Sequence, residues 1–415
     1  MTEGKFNKTV LDNGIRIVTE SNDYVHSAAI GVFITKGARD ESADNHGAAH
    51  FLEHMVFKGT DEKDSFQIAN SLESIGGMLN AATSEEYTCY FARILDEHIE
   101  PALDVLSDLV QNAIIEKDVT EVEKGVIIEE IKGVADTPSQ MVIENFISDL
   151  YPDHQLGLAI LGTEESINEM TSDKLVDFRT KYYTTDNIII AVAGRLDHEK
   201  VVSLIEKYFH LEKTESAPLS AAPNGTLRTG VNKKKSPISQ SHLCVGFRAI
   251  PYKDERRYAL LVMNTILSGG MSTRLFQNIR EKYGFVYSVY SFPEFMSDTG
   301  YFCTYAGTDA SKTDTVIDLI KDELEKLRSE LVTPDEISSA RAQWKGGALI
   351  SMESMMSRMN RIAMREMNFG TYAPVSELIE KIDAVQREDI LSISNEIFDE
   401  DKIVVSVIQP EKQKD

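Results

Sequence analysis

The sequence predicts an α+β protein of two homologous domains, each a mainly antiparallel β-sheet covered by helices. The first observation is that strand-like and helix-like segments recur in the same order in the two halves of the chain. The second is that a segment without apolar periodicity lies between these halves. At 415 residues, with 42% hydrophobic and 27% charged side chains, the chain is long enough to build a core in each domain.

The separating segment is rich in proline, serine, glycine and lysine, which is typical of a linker. We therefore expect a first domain over residues 1–212, a linker over 213–236 and a second domain over 237–415. An offset of 214 residues aligns Phe33 with Phe247, and strand, helix, strand pair and helix then follow in the same order in both halves. This repeat indicates a duplication; two unrelated α+β domains of similar pattern are the alternative.

Composition and charge exclude several classes of protein. A formal net charge of −24 is unsuited to nucleic acid, whose phosphates require a basic surface. No apolar run reaches the roughly 18 to 20 residues that cross a bilayer, and the N-terminus has neither an apolar signal core nor an Arg/Ser-rich leader. We therefore expect a cytoplasmic protein that binds neither nucleic acid nor a membrane.

Two further groups of residues are predicted to belong to the core. The cysteines are isolated in apolar runs, which argues against a disulfide framework and against a thiolate zinc site. They are Cys89, Cys244 and Cys303. The methionine-rich run of residues 350–370 is more typical of a helix core than of a chemical site.

The segment GAAHFLEHMVFKGT, residues 47–60, places His50 and His54 four residues apart. Residues at this spacing share one face of a helix, so the two imidazoles can bind one metal ion. Glu53 lies just before the second histidine, close enough to act as a general base on a water at that ion. An ordinary patch of helix is the alternative, because such a triplet also arises by chance.

The residues before this triplet define the expected start of the helix. Asp44 or Asn45 can cap it. His46 lies four residues before His50, but a third ligand from that turn would leave Glu53 without a clear role. We therefore expect His46 to be a first-turn surface histidine.

A second helix is predicted over TEVEKGVIIEEIKGVADTP, residues 120–138. Glu123 and Glu130 are seven residues apart in it and share one helical face, beside apolar residues. A carboxylate in apolar company needs a partner, and a site with two histidines needs at least one more protein ligand. An exposed acidic stripe is the alternative for each glutamate.

The run AHFLEHMVFKGT, followed by EKGVIIEEI, closely resembles the pitrilysin family, in particular its branch like mitochondrial processing peptidase. The first run contains the inverted zincin motif His-x-x-Glu-His, and the similarity covers essentially the whole chain. The resemblance implies one zinc ion per chain, bound by His50, His54 and Glu130, with Glu53 as the general base. It also implies that Glu123 orients the site from beside the ligands.

The same resemblance implies that unfolded peptides bind as an added strand on a sheet edge. The matching segment is MLNAATSEEYT, in which Asn80 and Ala81 stand at the main-chain-binding positions. An ordinary internal strand is the alternative. Phe57, one turn beyond His54, is predicted to line the pocket after the scissile bond.

The second half carries further residues that match the family. Arg280 and Tyr287 resemble an arginine and a tyrosine that contact the substrate near the scissile bond. An arginine offers planar donors to a carbonyl or carboxylate, and a tyrosine hydroxyl can support a developing oxyanion. Gly269 and Gly270, in the run SGGMS, resemble the family's glycine-rich loop that touches incoming peptide.

A chain of this length corresponds to one half of the family's clam-shell, so the resemblance implies a partner chain. Because one chain carries both the zinc motif and the Arg/Tyr pair, we expect a homodimer whose composite sites take Arg280 and Tyr287 in trans; a heterodimer stays open. The expected function is a zinc-dependent endopeptidase that cleaves unfolded peptides in a closed chamber, for precursor processing or peptide clearance. The alternatives are a non-catalytic scaffold homologue and a peptide-binding holdase.

Overall fold

The computed structural model of the protein describes residues 4–214 and 220–411, so residues 215–219 of the predicted linker lie outside the described residues. The strands are β1 (Lys5–Val10), β2 (Arg16–Ser21), β3 (Ser27–Ile34), β4 (Met78–Thr83), β5 (Thr88–Leu95), β6 (Ile188–Gly194), β7 (Gly230–Ser236), β8 (Ser241–Ala249), β9 (Val286–Phe295), β10 (Gly300–Thr308) and β11 (Val404–Pro410). The α-helices are α1 (Ala48–Val56), α2 (Ser65–Glu73), α3 (Ile99–Asn112), α4 (Lys117–Ala135), α5 (Pro138–Leu150), α6 (Glu164–Asn168), α7 (Ser172–Tyr182), α8 (His198–Tyr208), α9 (Arg257–Ser268), α10 (Thr313–Ser329), α11 (Pro334–Ser351), α12 (Met355–Phe369), α13 (Val375–Ala384) and α14 (Arg387–Ile397).

The strands form two sheets of the same design. The first sheet has the order β1-β2-β6-β3-β5-β4 and the second the order β7-β11-β8-β10-β9. Neighbouring strands are antiparallel except for β2 with β6 and β7 with β11, which are parallel. From β2 onward the two orders agree strand for strand, and Phe33 on β3 and Phe247 on β8 occupy corresponding strands. The predicted α+β fold with two homologous, mainly antiparallel sheets is therefore confirmed.

One strand of the second sheet lies inside the predicted linker. β7, with the sequence GVNKKKS, pairs with β11 at the edge of the sheet. Most of its side chains are exposed, so it lacks the apolar alternation that marks a half-buried strand. Lysines on an edge strand discourage pairing with other chains, which explains a strand with such a polar sequence.

The described residues form two compact units that are interleaved along the chain. The first is drawn from Met1–Ile131, Ala159–Ala221 and Ile350–Pro374, and the second from Lys132–Leu158, Ala222–Leu349 and Val375–Asp415. Each unit thus includes one helix from a distant part of the sequence, α12 in the first and α5 in the second. The division of the sequence into 1–212, 213–236 and 237–415 describes the repeated halves and stays a prediction.

In the first unit, helices cover both faces of the sheet. Ile30 and Val32 of β3 are buried in the core that contains α1 and α3, whereas Ala29 and Phe33 are buried against α12. Successive residues of a strand point to opposite faces, so these two cores lie on opposite sides of the sheet. The residues that α12 contributes are Met355, Met359, Ile362 and Ala363. The prediction of a methionine-rich helix core is confirmed.

In the second unit, α5 packs on β8 and β11 through Phe146 and Leu150. Cys244 and Cys303 are buried in the same cluster, and Cys89 is buried in the first unit. All three thiols are free, as the sequence predicted. Within the described residues, no helix combines the length and apolar character that a membrane crossing needs.

A buried ion pair holds α12 on the first sheet. Glu20 of β2 has a side chain that is 1% exposed, and it accepts hydrogen bonds from Arg358 and Arg361, the second at 2.5 Å. Arg358 also donates its Nε–H to the carbonyl of Met352 at 2.5 Å. Removal of one partner of a buried pair leaves an uncompensated charge in a medium of low polarity.

We expect Glu20→Ala to lower the free energy of unfolding by about 3–5 kcal/mol, because two guanidinium groups then lose their buried carboxylate. Urea unfolding of the variant and the wild type measures this difference. Glu73→Ala, at an exposed position on α2, is the matched control and should stay close to the wild type. Equal stability of the two variants would show that the ion pair does not anchor α12.

Candidate metal centre

Helix α1 begins with an unusual cap. Its N-cap is Gly47 at φ 90°, a left-handed conformation that favours glycine. Glycine has no side chain with which to cap the helix. Instead, Glu41 accepts hydrogen bonds from the backbone N–H groups of Gly47 and Ala49 at 2.8 and 2.7 Å. The prediction that Asp44 or Asn45 caps this helix is wrong, because both residues lie in a separate 3-10 turn before it.

The apolar face of α1 is anchored in the core of the first unit. Phe51, Leu52 and Met55 are fully buried there. His50 and His54 lie on another face, with ring centroids 4.7 Å apart. The predicted spacing therefore places both imidazoles side by side, on a helix that the core holds in position.

The two histidines meet a carboxylate from α4. Oε2 of Glu130 lies 3.7 Å from Nε2 of His50 and 3.6 Å from Nε2 of His54. One ligand atom from each of these residues lies within 4.8 Å of the others, and no other such group of three was found among the described residues. The structure thus brings together the three residues that the sequence predicted as metal ligands.

Glu123 lies behind His54 on the same face of α4. Its Oε1 accepts a hydrogen bond from Nδ1 of His54 at 2.8 Å, and its Oε2 accepts one from Lys58 at 2.7 Å. Burial raises the pKa of Glu123, but the hydrogen bonds and charges of Lys58 and His54 outweigh this and lower it below its usual value. A carboxylate at Nδ1 leaves Nε2 of His54 free to bind a metal.

His50 is the more buried imidazole, at 8% exposure. Burial, followed by the neighbouring His54, lowers the pKa of His50 to about 4, so the ring is neutral at pH 7. Its Nδ1 is buried without a hydrogen-bond partner, and Nε2 faces Glu130. Neutral imidazole is the form of histidine that binds metals.

Glu53 lies beside this cluster, and its carboxylate makes one hydrogen bond within the described residues. Its Oε2 accepts a hydrogen bond of 2.5 Å from the hydroxyl of Thr83, the last residue of β4. Burial raises the pKa of Glu53, and Glu130 adds to this, whereas the Thr83 hydrogen bond and His54 act in the opposite direction. The geometry suits a carboxylate that takes up and releases a proton.

His46 is not part of the cluster. It precedes α1, is 8% exposed, and its Nε2 lies 2.8 Å from the carbonyl oxygen of Ala159, to which it can donate. The prediction of a surface histidine in the first turn is wrong in both respects. The predicted choice of His50 and His54 as the metal-type pair agrees with the geometry.

The predicted peptide-binding segment is a sheet edge. Among the described strands β4 pairs with β5 alone, and its exposed positions alternate with half-buried ones. Asn80 is exposed, and its Oδ1 accepts a hydrogen bond from the backbone N–H of Ala81 at 2.9 Å. Phe57 is half-buried and packs beside Tyr90, with ring centroids 6.3 Å apart. The roles of these residues stay predictions.

In the second unit, Arg280 and Tyr287 lie together. Arg280 belongs to a π-helical turn, Phe276–Glu281, and its guanidinium carbon is 5.3 Å from the ring centroid of Tyr287. The ring of Tyr287, on β9, is 78% exposed. Gly269 follows α9 at a place where a Cβ would lie 2.6 Å from the Thr265 carbonyl oxygen, whereas a Cβ at Gly270 would come no nearer than 4.0 Å to a neighbour, Nε2 of Gln343.

Three residues of this centre were missed in the sequence. Thr83 was detectable, because the alternation of β4 places it on the same side as Ala81. Lys58 was a candidate by spacing alone, since it follows His54 by four residues, although α1 ends at Val56. Glu41 gave no local signal, because it reaches the start of α1 only through the turn that precedes the helix.

The donor set of the cluster fits zinc. Two imidazole nitrogens and one carboxylate oxygen are the ligands of many catalytic zinc sites, where a fourth position stays open. Ligand atoms in a tetrahedron around zinc are about 3.4 Å apart, and two of the three separations here are 3.7 and 3.6 Å. These residues stand in the order His-x-x-Glu-His with a distal glutamate, which is the order of the inverted zincins.

The chain belongs to the M16, or pitrilysin, family of peptidases. A family model described as Insulinase (Peptidase family M16) matches residues 16–164, and one described as Peptidase M16 inactive domain matches residues 169–344. An uncharacterized zinc protease of Bacillus subtilis is 38% identical over 96% of this chain and 97% of its own length. One from Streptomyces coelicolor is 36% identical over 99% of this chain and 91% of its own length.

Solved structures agree in fold. A protease from Helicobacter pylori superposes with a TM-score of 0.89 at 21% identity, over 98% of this chain and 100% of that one. A Pseudomonas fluorescens structure described as a peptidase M16 inactive domain gives 0.91 at 20% identity, over 99% of both chains. At this level of identity the likeness establishes the fold. The relatives named zinc proteases support zinc as the metal of the family.

The cap of α1 gives a pH-dependent contribution to stability. Burial raises the pKa of Glu41 to about 8 against the hydrogen bonds from Ala49 and Gly47. A carboxyl group whose pKa is higher in the folded than in the unfolded chain takes up a proton on folding. Stability from this group is therefore greatest below the unfolded pKa, about 4.5, and declines as the pH rises through about 8.

We expect metal-free Glu41→Gln to be less stable than the wild type at pH 5, because its amide cannot accept from both backbone N–H groups. The gap should narrow toward pH 9, by at most about 1.4 kcal/mol per pH unit. Urea unfolding at several pH values measures it, with exposed Glu206→Gln on α8 as the control. A gap that is constant with pH would contradict the assigned titration of Glu41.

Proposed function

We propose that the protein is a zinc-dependent endopeptidase that cleaves unfolded peptides. His50, His54 and Glu130 would bind one zinc ion per chain, and Glu53 would act as the general base. The observation that carries the proposal is the convergence of three ligand atoms within 4.8 Å with a carboxylate beside them. Membership of a peptidase family and the zinc proteases among its relatives support it.

Each residue of the centre would have a separate role in peptide hydrolysis. A zinc ion held by His50, His54 and Glu130 would supply Lewis acidity toward water and the scissile carbonyl. Glu53 accepts the proton of the attacking water and returns it to the leaving amine. Glu123 keeps Nδ1 of His54 protonated and the ring in place, with Lys58 holding the other oxygen of that carboxylate.

We propose that the peptide adds to the free edge of β4. Strand addition supplies main-chain hydrogen bonds to any extended sequence, so only unfolded segments are suitable. The edge position of β4 and the exposed Asn80 next to Ala81 support this. The hydrogen bond from Thr83, at the end of the same strand, to Glu53 also supports this, because Glu53 is the proposed base. Phe57 would line the pocket after the scissile bond.

The second unit would contribute to the substrate site of a partner copy. Arg280 and the exposed Tyr287 lie on neighbouring elements, with the Arg280 guanidinium 5.3 Å from the Tyr287 ring, and both would contact a carbonyl oxygen of the bound peptide. Gly269 and Gly270 would contact the incoming peptide. Because the chain carries the metal centre and this pair once each, we propose a homodimer with two composite sites in a closed chamber.

The first experiment is cleavage of a mixed library of unstructured peptides of roughly 10 to 30 residues. We expect the wild type to cut, a chelator to abolish cutting and zinc to restore it. Glu53→Gln should bind zinc and cut nothing, with a loss of at least about 100-fold. Mass spectrometry identifies the products, and zinc content is measured separately.

Glu129→Gln is the matched control, because it alters the exposed glutamate next to the ligand Glu130 on α4 and should keep both zinc and activity. A wild type that holds one zinc per chain and cuts nothing would reject the peptidase and favour a non-catalytic peptide-binding or scaffold protein.

The composite site makes a separate prediction. Glu53→Gln and Arg280→Ala should each be inactive, yet a mixture allowed to exchange subunits should regain up to about a quarter of wild-type activity. One of the two sites in a mixed dimer then has an intact base and an intact arginine. Subunit exchange shown by mass spectrometry without recovered activity would exclude sites shared in trans.

A further inference from the structure

Glu53 is held by a single hydrogen bond. The hydroxyl of Thr83 donates to its Oε2 at 2.5 Å, and Oε1 makes no hydrogen bond with any described residue. Helix α1 fixes the backbone of Glu53, but three side-chain torsions separate that backbone from the carboxylate. The hydrogen bond from Thr83 to Oε2 therefore determines the direction of Oε1.

We propose that Thr83 is a positioning residue that fixes Oε2 of Glu53 and so selects Oε1 as the atom that accepts the proton of the attacking water. The inference rests on the proposed function of the centre. The hydroxyl can serve only as donor toward a carboxylate, which suits a base that must be ionised before the reaction.

The strand that carries Thr83 adds a second consequence. Thr83 is the last residue of β4, the edge strand on which we propose that peptide docks, and it pairs with Thr88 of β5. β5 is an interior strand of the sheet, between β4 and β3. A peptide added to β4 would restrain the backbone of this strand, including Thr83. Because the Thr83 hydroxyl bonds to Glu53, the carboxylate of Glu53 would be restrained as well. Docking and base placement are thereby linked through one side chain.

Neighbouring side chains do not duplicate this contact. Thr88 is buried, but its hydroxyl is directed to the carbonyl of Lys36 at 3.4 Å. The buried hydroxyls of Tyr90 and Tyr183 bond to each other at 2.6 Å. The carboxylate of Glu53 thus has one hydroxyl donor among the described residues. Removal of that donor should lower the rate of the chemical step.

The test compares Thr83→Val, which keeps the shape and removes the hydroxyl, with Thr83→Ser, which keeps the hydroxyl. Loss of one hydrogen bond to a charged group should lower kcat of Thr83→Val by about 10- to 100-fold. KM and zinc content should stay at the wild-type values. Thr83→Ser should restore most of kcat, and Thr88→Val, the paired threonine, should retain it.

Several results would overturn the inference. They are an unchanged kcat in Thr83→Val, a raised KM with unchanged kcat, and a Thr83→Ser variant as slow as Thr83→Val. Thr83→Ala, which removes the hydroxyl without adding bulk, gives the same comparison if the valine variant does not fold. In a Glu53→Gln background, Thr83→Val should leave peptide binding unchanged; weaker binding would assign Thr83 to docking alone.

Failure of the proposed function gives a different result. A wild type without peptidase activity rejects the endopeptidase before any variant is compared. An active wild type whose Thr83→Val variant keeps its kcat rejects only the positioning role of Thr83.

Discussion

The hydrogen bond between His54 and Glu123 is the contact on which the centre depends, because it joins the two helices that supply every candidate ligand. It fixes the distance between α1 and α4 at the level of His54 and leaves Nε2 of that ring directed at Glu130. The core under α1 and the cap from Glu41 fix the position of the helix, so the charge of Glu123 does not displace it. A metal site built this way is largely organised by the protein, so little free energy is needed to order its ligands.

The second unit has the same scaffold, but other side chains stand at the positions that carry the candidate metal ligands and base in the first. At the positions aligned with His50, Glu53 and His54, α9 carries Asn264, Leu267 and Ser268. Leu267 is fully buried, while Asn264 and Ser268 both bond to Ser291 on β9. The face that holds imidazoles in one half therefore fastens a helix to a strand in the other. The difference lies in the donor atoms rather than in the fold, in keeping with the family model named an inactive domain over that half.

Most of the fold could be predicted because it depends on local periodicity, whereas the choice of Glu130 as the third ligand came from the resemblance to the pitrilysin family. A helical repeat suffices to place His50 beside His54 and Glu123 below Glu130, and alternation suffices for β4 and β5. The partners that depend on tertiary packing were not accessible: local spacing could mark Lys58 and Thr83 as candidates, but not show that Lys58 reaches Glu123 across 65 residues or that Thr83 reaches Glu53 across 30. The methionine-rich run of residues 350–370 indicated a helix core, but no sequence pattern states which sheet α12 covers. β7 was missed because an edge strand with three lysines resembles a linker.

The interleaving of the two units sets the order in which the chain can fold during synthesis. Both faces of the first sheet are apolar, and the face with Phe33 and Ile189 is covered by α12, near residue 360. Until the ribosome has released that part of the chain, this face has no cover of its own and is open to chaperones or to aggregation. A fragment cut at the end of the first half would carry all the candidate metal ligands and still lack one layer of its domain. Expression of the first half alone is therefore expected to give an unstable product, even though it contains every candidate metal ligand.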